Sequence, residues 1–271
     1  MRGIIVAALA GAFLAPGAIA APSANALFDP PVATQKRALP AAKGAPKATL
    51  TCNYYPRFMV KQIDEGEVGA AQLSIVAGDA AHKPACQRAN LPGEKVIDAK
   101  DWSGYFKGAK GDYAFFDSED GVNGALGFAI VAAADGKKLF EDSAIGDFQG
   151  AALDGAALTL RYKRSFSADC SVPHDGAGCW SKIAATTGLE AAAPPDCAAG
   201  YLKAKRELAK GRCEAKGKAD AACLTAAAKE IEAQSWDAAP SVVVYDAQAV
   251  LQAGQATVKP LAGERACHPS D

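Results

Sequence analysis

The chain is poor in the residues that carry most enzyme chemistry. Of 271 residues, three are His, two are Met and three are Trp, and aromatics total 7%. It also lacks an excess of charge: 29 Lys and Arg face 30 Asp and Glu, a formal net charge of −1. That balance excludes a polybasic nucleic-acid binder and an acidic disordered tail. No two cysteines stand two to four residues apart, which excludes the usual zinc clusters and a C-x-x-C redox centre. No G-x-S-x-G turn presents a serine nucleophile. Gly121 to Gly127 lacks the following helix that would make a phosphate cradle, so no nucleotide or other cofactor is expected.

Small apolar residues fill the gap. Alanine alone accounts for 63 positions. Met1-Arg2 opens an apolar run from Ile4 to Ala15, too short for a membrane span. Small-residue sites follow at Ala18-Ile19-Ala20 and Ala24-Asn25-Ala26. Residues 1–26 therefore read as a secretory signal peptide, cleaved after Ala26 or, alternatively, after Ala20. The expected mature protein is soluble, without a membrane span, and either periplasmic or secreted from a bacterium. Residues 27–48, rich in Pro, Ala and Lys, read as a mobile lead-in outside the core.

Eight cysteines follow the leader, at 52, 86, 170, 179, 197, 213, 223 and 267. An even count in an oxidising compartment implies up to four disulfides, with 105 formal connectivities. Proximity along the chain and helix geometry favour Cys52–Cys86, Cys170–Cys179, Cys213–Cys223 and, by remainder, Cys197–Cys267.

The periodicity reads as β, then α, then β. Residues 49–78 carry two strands joined near Asp64-Glu65-Gly66-Glu67, and Tyr113 to Phe116 is a strand that ends in Asp117-Ser118-Glu119-Asp120-Gly121. Asp135-Gly136 marks a hairpin between Leu126–Ala133 and Lys138–Glu141. Leu158, Leu160, Tyr162 and Phe166 share one strand face. Helices are expected from Cys179 to Thr187 with Gly188 as the stop, from the Asp196 cap to Gly211, and after the Asp220 cap. Strands resume around Val242–Val250 and Thr257–Leu261. The fold class is α+β: a β-rich, mostly antiparallel domain over 49–190, a disulfide-linked α-hairpin inserted at 191–235, and C-terminal strands at 236–271.

Candidate chemistry is sparse. His174-Asp175 sits in the loop that Cys170 and Cys179 would close, where an imidazole could meet a partner or substrate; a solvated loop residue is the default. Asp117, Glu119, Asp120 and Asn123 form an oxygen-rich cluster of the kind calcium takes. An EF-hand counted from Asp117 would need Gly and Glu where Val122 and Phe128 stand, so the cluster reads as a polar turn and no metal is assigned. Aromatics and cations interleave at Tyr54-Tyr55-Pro56-Arg57 and at Trp102-Ser103-Gly104-Tyr105-Phe106-Lys107. Such rings can stack on sugars or anchor an interface, though large aromatics more often bury. Ser103-Gly104-Tyr105 is similar over three residues to a loop of exported bacterial lysozyme inhibitors; it lacks their spacer before the tyrosine, and no family is assigned.

The expected surface site is Tyr54, Tyr55, Arg57, Trp102, Tyr105, His174 and Asp175. The expected function is a non-catalytic binding module for a protein or an envelope carbohydrate. A hydrolase using carboxylates or His174, and a structural envelope protein, are the alternatives.

Overall fold

Alternation with a period of two folds as antiparallel sheet. The structure is a computed structural model that describes residues 26–40, 47–79, 82–189, 193–217, 220–233 and 239–270. Apart from Ala26, the segment read as a signal peptide lies outside the described residues, as do positions 41–46 of the segment read as a lead-in. Strands β1 (Ala33–Ala38), β2 (Thr49–Tyr54), β3 (Phe58–Asp64), β4 (Gln72–Ala77) and β5 (Lys95–Ile97) form a five-stranded sheet in chain order. The larger sheet holds β6 (Gly104–Lys110), β7 (Tyr113–Val122), β8 (Ala125–Ala132), β9 (Lys138–Ala144), β10 (Gly150–Asp154), β11 (Ala157–Ser167), β12 (Ser241–Gln252) and β13 (Gln255–Pro269). Its order is β13-β12-β11-β9-β8-β7-β6, and β10 also pairs with β11. Helices α1 (Val172–Asp175), α2 (Ala177–Thr187), α3 (Cys197–Ala215) and α4 (Ala221–Ala233) fall between β11 and β12 in sequence. The fold is α+β, β-rich and antiparallel.

The large sheet serves two cores because its residues alternate between them. On β7, Phe115 faces one core, while Ala114 and Phe116 face the other. On β8, Phe128 and Ile130 oppose Ala129 and Val131 in the same way. The first core adds Leu158, Leu160 and Tyr162 of β11, Tyr245 and Leu251 of β12, and Trp180 and Ile183 of α2. The second is closed by Phe58, Val60, Leu73 and Ile75 of the small sheet. A third cluster lies on the small sheet's other face, where Leu50, Cys52, Met59 and Val76 meet Cys86. Lys61 shares that face and is fully buried. Its ammonium pairs with Glu94 at 2.6 Å, and Glu94 also accepts from Ser74 Oγ at 2.6 Å and the Leu91 N–H at 2.7 Å. The bonds and the Cys52–Cys86 bridge hold the segment before β5 down on the sheet.

All eight cysteines are paired: Cys52–Cys86, Cys170–Cys179, Cys197–Cys267 and Cys213–Cys223. Cys213–Cys223 ties α3 to α4, and Cys197–Cys267 ties α3 to β13. Gly200 makes the second contact possible, because a Cβ there would overlap the Cys267 carbonyl oxygen. Asp196 caps α3 by accepting from the Ala199 N–H at 2.9 Å, and Asp220 accepts from the Cys223 N–H at 2.7 Å.

Several elements differ from the sequence reading. Residues 49–78 hold three strands, not two, because Tyr55-Pro56-Arg57 is itself a turn, with Tyr55 N–H donating to Phe58 O at 2.7 Å. The β7 strand continues through the acidic stretch to Val122, where Asp117 pairs with Lys107 and Glu119 accepts from Ser103. The turn falls instead at Asn123-Gly124, both with positive φ, which suits a two-residue hairpin. Strands β1, β5, β6 and β10 were not foreseen. Helix α3 runs past Gly211 to Ala215. The segment read as a lead-in outside the core is docked at its start. Phe28 lies over Gly108 and meets Phe115 and Phe148 edge-on, and Asp29 N–H donates to Ala109 O at 2.8 Å.

Candidate functional site

Antiparallel hairpins bring their turns to the ends of a sheet, where side chains are free of ladder and core duties. Residues of four turns meet at one such end. Gly111 to Tyr113 come from β6–β7, Ala134, Asp135 and Lys137 from β8–β9, Gly155 and Ala156 from β10–β11, and Gly254 from β12–β13. Arg57, at the β2–β3 turn of the small sheet, completes the wall. Together they enclose a cleft of about 360 Å³, within the size range of small-ligand sites.

One wall of this cleft is ionic. The Arg57 guanidinium pairs with Asp112, and the two side chains are 70% and 46% exposed. A pair that open to solvent contributes little to stability, so its groups remain available to a ligand. Asp135 accepts from the Lys137 backbone N–H at 3.0 Å and shapes the turn. The floor is apolar, with Leu139, Leu153 and Ala132. Leu153 crosses from β10 onto Gly111, where a Cβ would come within 2.6 Å of its Cδ1. Tyr113 donates its hydroxyl to Ala156 O at 2.6 Å and locks two turns together. Its pKa is raised, first by burial and then by the Asp112 charge, so the hydroxyl keeps its proton.

A second, more open cleft flanks the other side of the β2–β3 turn. Tyr55, Phe106, Phe28, Pro30 and Lys107 are among the residues that line it. Tyr55 stacks on Phe58 with ring centres 4.9 Å apart. Burial and the nearby Asp29 charge push its pKa up to about 12.

The seven expected site residues do not form one site. Tyr55 and Arg57 border the two clefts just described. Tyr54 points into the third cluster, buried, and donates to Pro84 O at 3.0 Å. Trp102 packs in the second core. Tyr105 accepts from the Gly69 N–H at 2.8 Å and so anchors the segment ahead of β4. His174 and Asp175 are exposed on α1, and none of the clefts described here has either in its wall. Asp175 accepts from the Ser171 N–H at 3.1 Å. Gly104 is explained by backbone approach, since a Cβ there would overlap Asp117 O.

The acidic cluster is dispersed into separate bonds. Asp117 binds Lys107 at 2.7 Å, Glu119 accepts from Ser103 Oγ at 2.5 Å, and Asn123 Nδ2 reaches Ser167 Oγ at 3.3 Å. Asp120 is exposed, and its carbonyl accepts from Ser118 Oγ at 2.7 Å. Among the described residues, Cys170, Asp175 and Cys179 are close enough together to suggest a metal site. Both cysteines are in a disulfide and offer no thiolate, so no ligand set results.

Asp112, Lys137 and Leu153 of the hairpin-end cleft were missed. The Asp135-Gly136 turn was visible in the sequence, but its convergence with three other turns depends on sheet order.

No protein-family model, no curated protein and no solved structure matches the chain. Among the described residues no helix is long and apolar enough to cross a membrane, and the four disulfides are consistent with an oxidising, extracellular or periplasmic setting.

Proposed function

We propose that this chain is an exported, soluble, non-catalytic binding module that takes an envelope carbohydrate in the hairpin-end cleft. The observation that carries this reading is the make-up of that cleft: an ion pair on one wall, an apolar floor, and turns held by a rigid sheet. Two cations, Arg57 and Lys137, face two anions, Asp112 and Asp135, so formal charge selects neither an acid nor a base. A sugar ring suits such walls, because its hydroxyls pair with carboxylate and guanidinium while its C–H face lies on Leu139 and Leu153.

Export rests on the leader-like start, the A-x-A sites and the disulfides. On this reading residues 49–190 and 236–271 make one β-rich unit. The stretch 191–235 is an α-hairpin inserted into it and tied by Cys213–Cys223. Its place is the periplasm or the exterior of a bacterial cell.

The test is calorimetric titration with soluble envelope glycan fragments, repeated on Arg57→Ala. Loss of a charge-assisted hydrogen bond should weaken binding by about tenfold or more. Unchanged affinity in the variant would remove the cleft from the account. Binding of a purified secreted hydrolase, with no response to any glycan, would replace the carbohydrate by a protein ligand.

A further inference from the structure

The second cleft, beside the β2–β3 turn, has a volume of about 600 Å³, and Phe28, Pro30, Pro31 and Phe106 supply its apolar wall. Its charged groups are compensated within the protein. Asp29 is held by the Lys110 ammonium at 3.1 Å and by the Gly111 N–H at 2.7 Å, and Lys107 is held by Asp117 at 2.7 Å. The groups with bonding capacity to spare are neutral. Asn53 and Tyr55 stand two residues apart and so share one side of the chain, opposite Cys52 and Tyr54 of the third cluster. Asn53 Oδ1 accepts from Thr34 Oγ1 at 2.9 Å, and its amide nitrogen has no partner among the described residues. Tyr55 is 6% exposed, yet its hydroxyl has no partner among the described residues and is open to solvent. The Asp29 carboxylate in the same wall is close enough to raise its pKa, which puts the hydroxyl on the cleft side of the ring with its proton in place.

Only a short barrier parts this cleft from the hairpin-end cleft. Tyr55 lines one and Arg57 the other, with exposed Pro56 as the crest between them. Two residues of extended chain span about 7 Å. The walls also touch directly, since Asp29 of one accepts from the Gly111 N–H of the other. Building on the carbohydrate reading of the hairpin-end cleft, we infer that a glycan strand continues from it across Pro56 into the second cleft, where the Tyr55 hydroxyl and the Asn53 amide bond its hydroxyl groups. Neutral donors beside aromatic and proline rings suit a sugar better than an ion. The site is then one for an oligosaccharide: a short fragment fills the Arg57 side alone, and a longer strand engages both sides of the turn. Joining two subsites through one ligand raises affinity without any change in either subsite.

The experiment titrates the full chain, labelled with nitrogen-15, with two probes: the disaccharide and the hexasaccharide of alternating N-acetylglucosamine and N-acetylmuramic acid. The disaccharide fragment should shift the amides of the hairpin-end cleft only. The hexasaccharide strand should also shift those of Asn53, Tyr55 and Phe106, and should bind about tenfold or more tightly. Tyr55→Phe removes one unpaired hydroxyl and keeps the ring, so the fold persists. It should weaken the hexasaccharide by roughly three- to tenfold, the worth of one hydrogen bond, and leave the disaccharide unchanged. Arg57→Ala should weaken both. Equal affinity for the two lengths, or full hexasaccharide affinity in Tyr55→Phe, would overturn the second subsite while leaving the hairpin-end cleft as a sugar site. Binding of neither probe would overturn the carbohydrate reading and the second subsite together.

Discussion

At the scale of single residues, the buried Lys61–Glu94 pair is the most sensitive point. Both side chains are essentially inaccessible. Burial alone would raise the Glu94 pKa; hydrogen bonds from Lys61, Ser74 and the Leu91 N–H, together with the Lys61 charge, outweigh it and lower the pKa. A carboxylate lowered on folding stabilises the native state above its unfolded pKa of about 4.3, and that contribution is lost as pH falls through the folded value. The chain should therefore lose stability in acid below about pH 4, and Glu94→Gln should flatten that part of the curve. Chemical denaturation between pH 2 and 7 would show it. Lys61→Ala leaves a buried carboxylate unpaired and should cost about 3–5 kcal/mol by the same method. Neither residue was singled out from sequence. A lysine on a strand reads as an outward position until the covering segment is known. Arg57 and Tyr55 were visible because aromatic and cationic residues cluster around a proline. The Arg57 partner, Asp112, lies 55 positions away, and nothing local announces it.

At the scale of elements, local signals were read where the chain itself supplies the partner. The Asp135-Gly136 hairpin, the α2 stop at left-handed Gly188 and the Asp196 and Asp220 caps all depend on neighbours within a few residues. Strands β1, β5, β6 and β10 were missed because their sequences do not alternate. β1 is exposed at five of six positions, β5 has three residues, and β6 carries two glycines that accommodate Asp117 O and Phe28. The three-strand start was missed because Tyr55-Pro56-Arg57 looked like a functional cluster rather than a turn. Gly200 carries a prediction at this scale. Gly200→Ala improves helix propensity, yet the added Cβ meets Cys267 O, so α3 must move off β13. Thermal unfolding should show a net loss of about 1–3 kcal/mol. A gain would mean that the close approach of α3 to β13 does not exist in solution.

At the scale of the whole molecule, the abundance of alanine makes sense as a packing choice with a cost. Ala114, Ala129 and Ala109 let the two sheets approach, but they bury little surface each. Disulfides add constraint on top of those lean cores. The Cys197–Cys267 bridge spans 70 residues and Cys170–Cys179 spans nine. In the chain-entropy view their removal should cost about 4 and about 2.5 kcal/mol respectively. Paired Cys→Ser variants compared by urea unfolding would check that order. The convergence of four turns into one cleft also belongs to this scale, since it follows from sheet order.

The binding account is tested most directly by mapping backbone amide shifts while soluble envelope glycan fragments are titrated into the intact chain. The expected result is a saturable response confined to the hairpin-end cleft: Arg57, Asp112, Tyr113, Lys137 and Leu153. A response centred on His174 and Asp175, or none from any glycan, would contradict it.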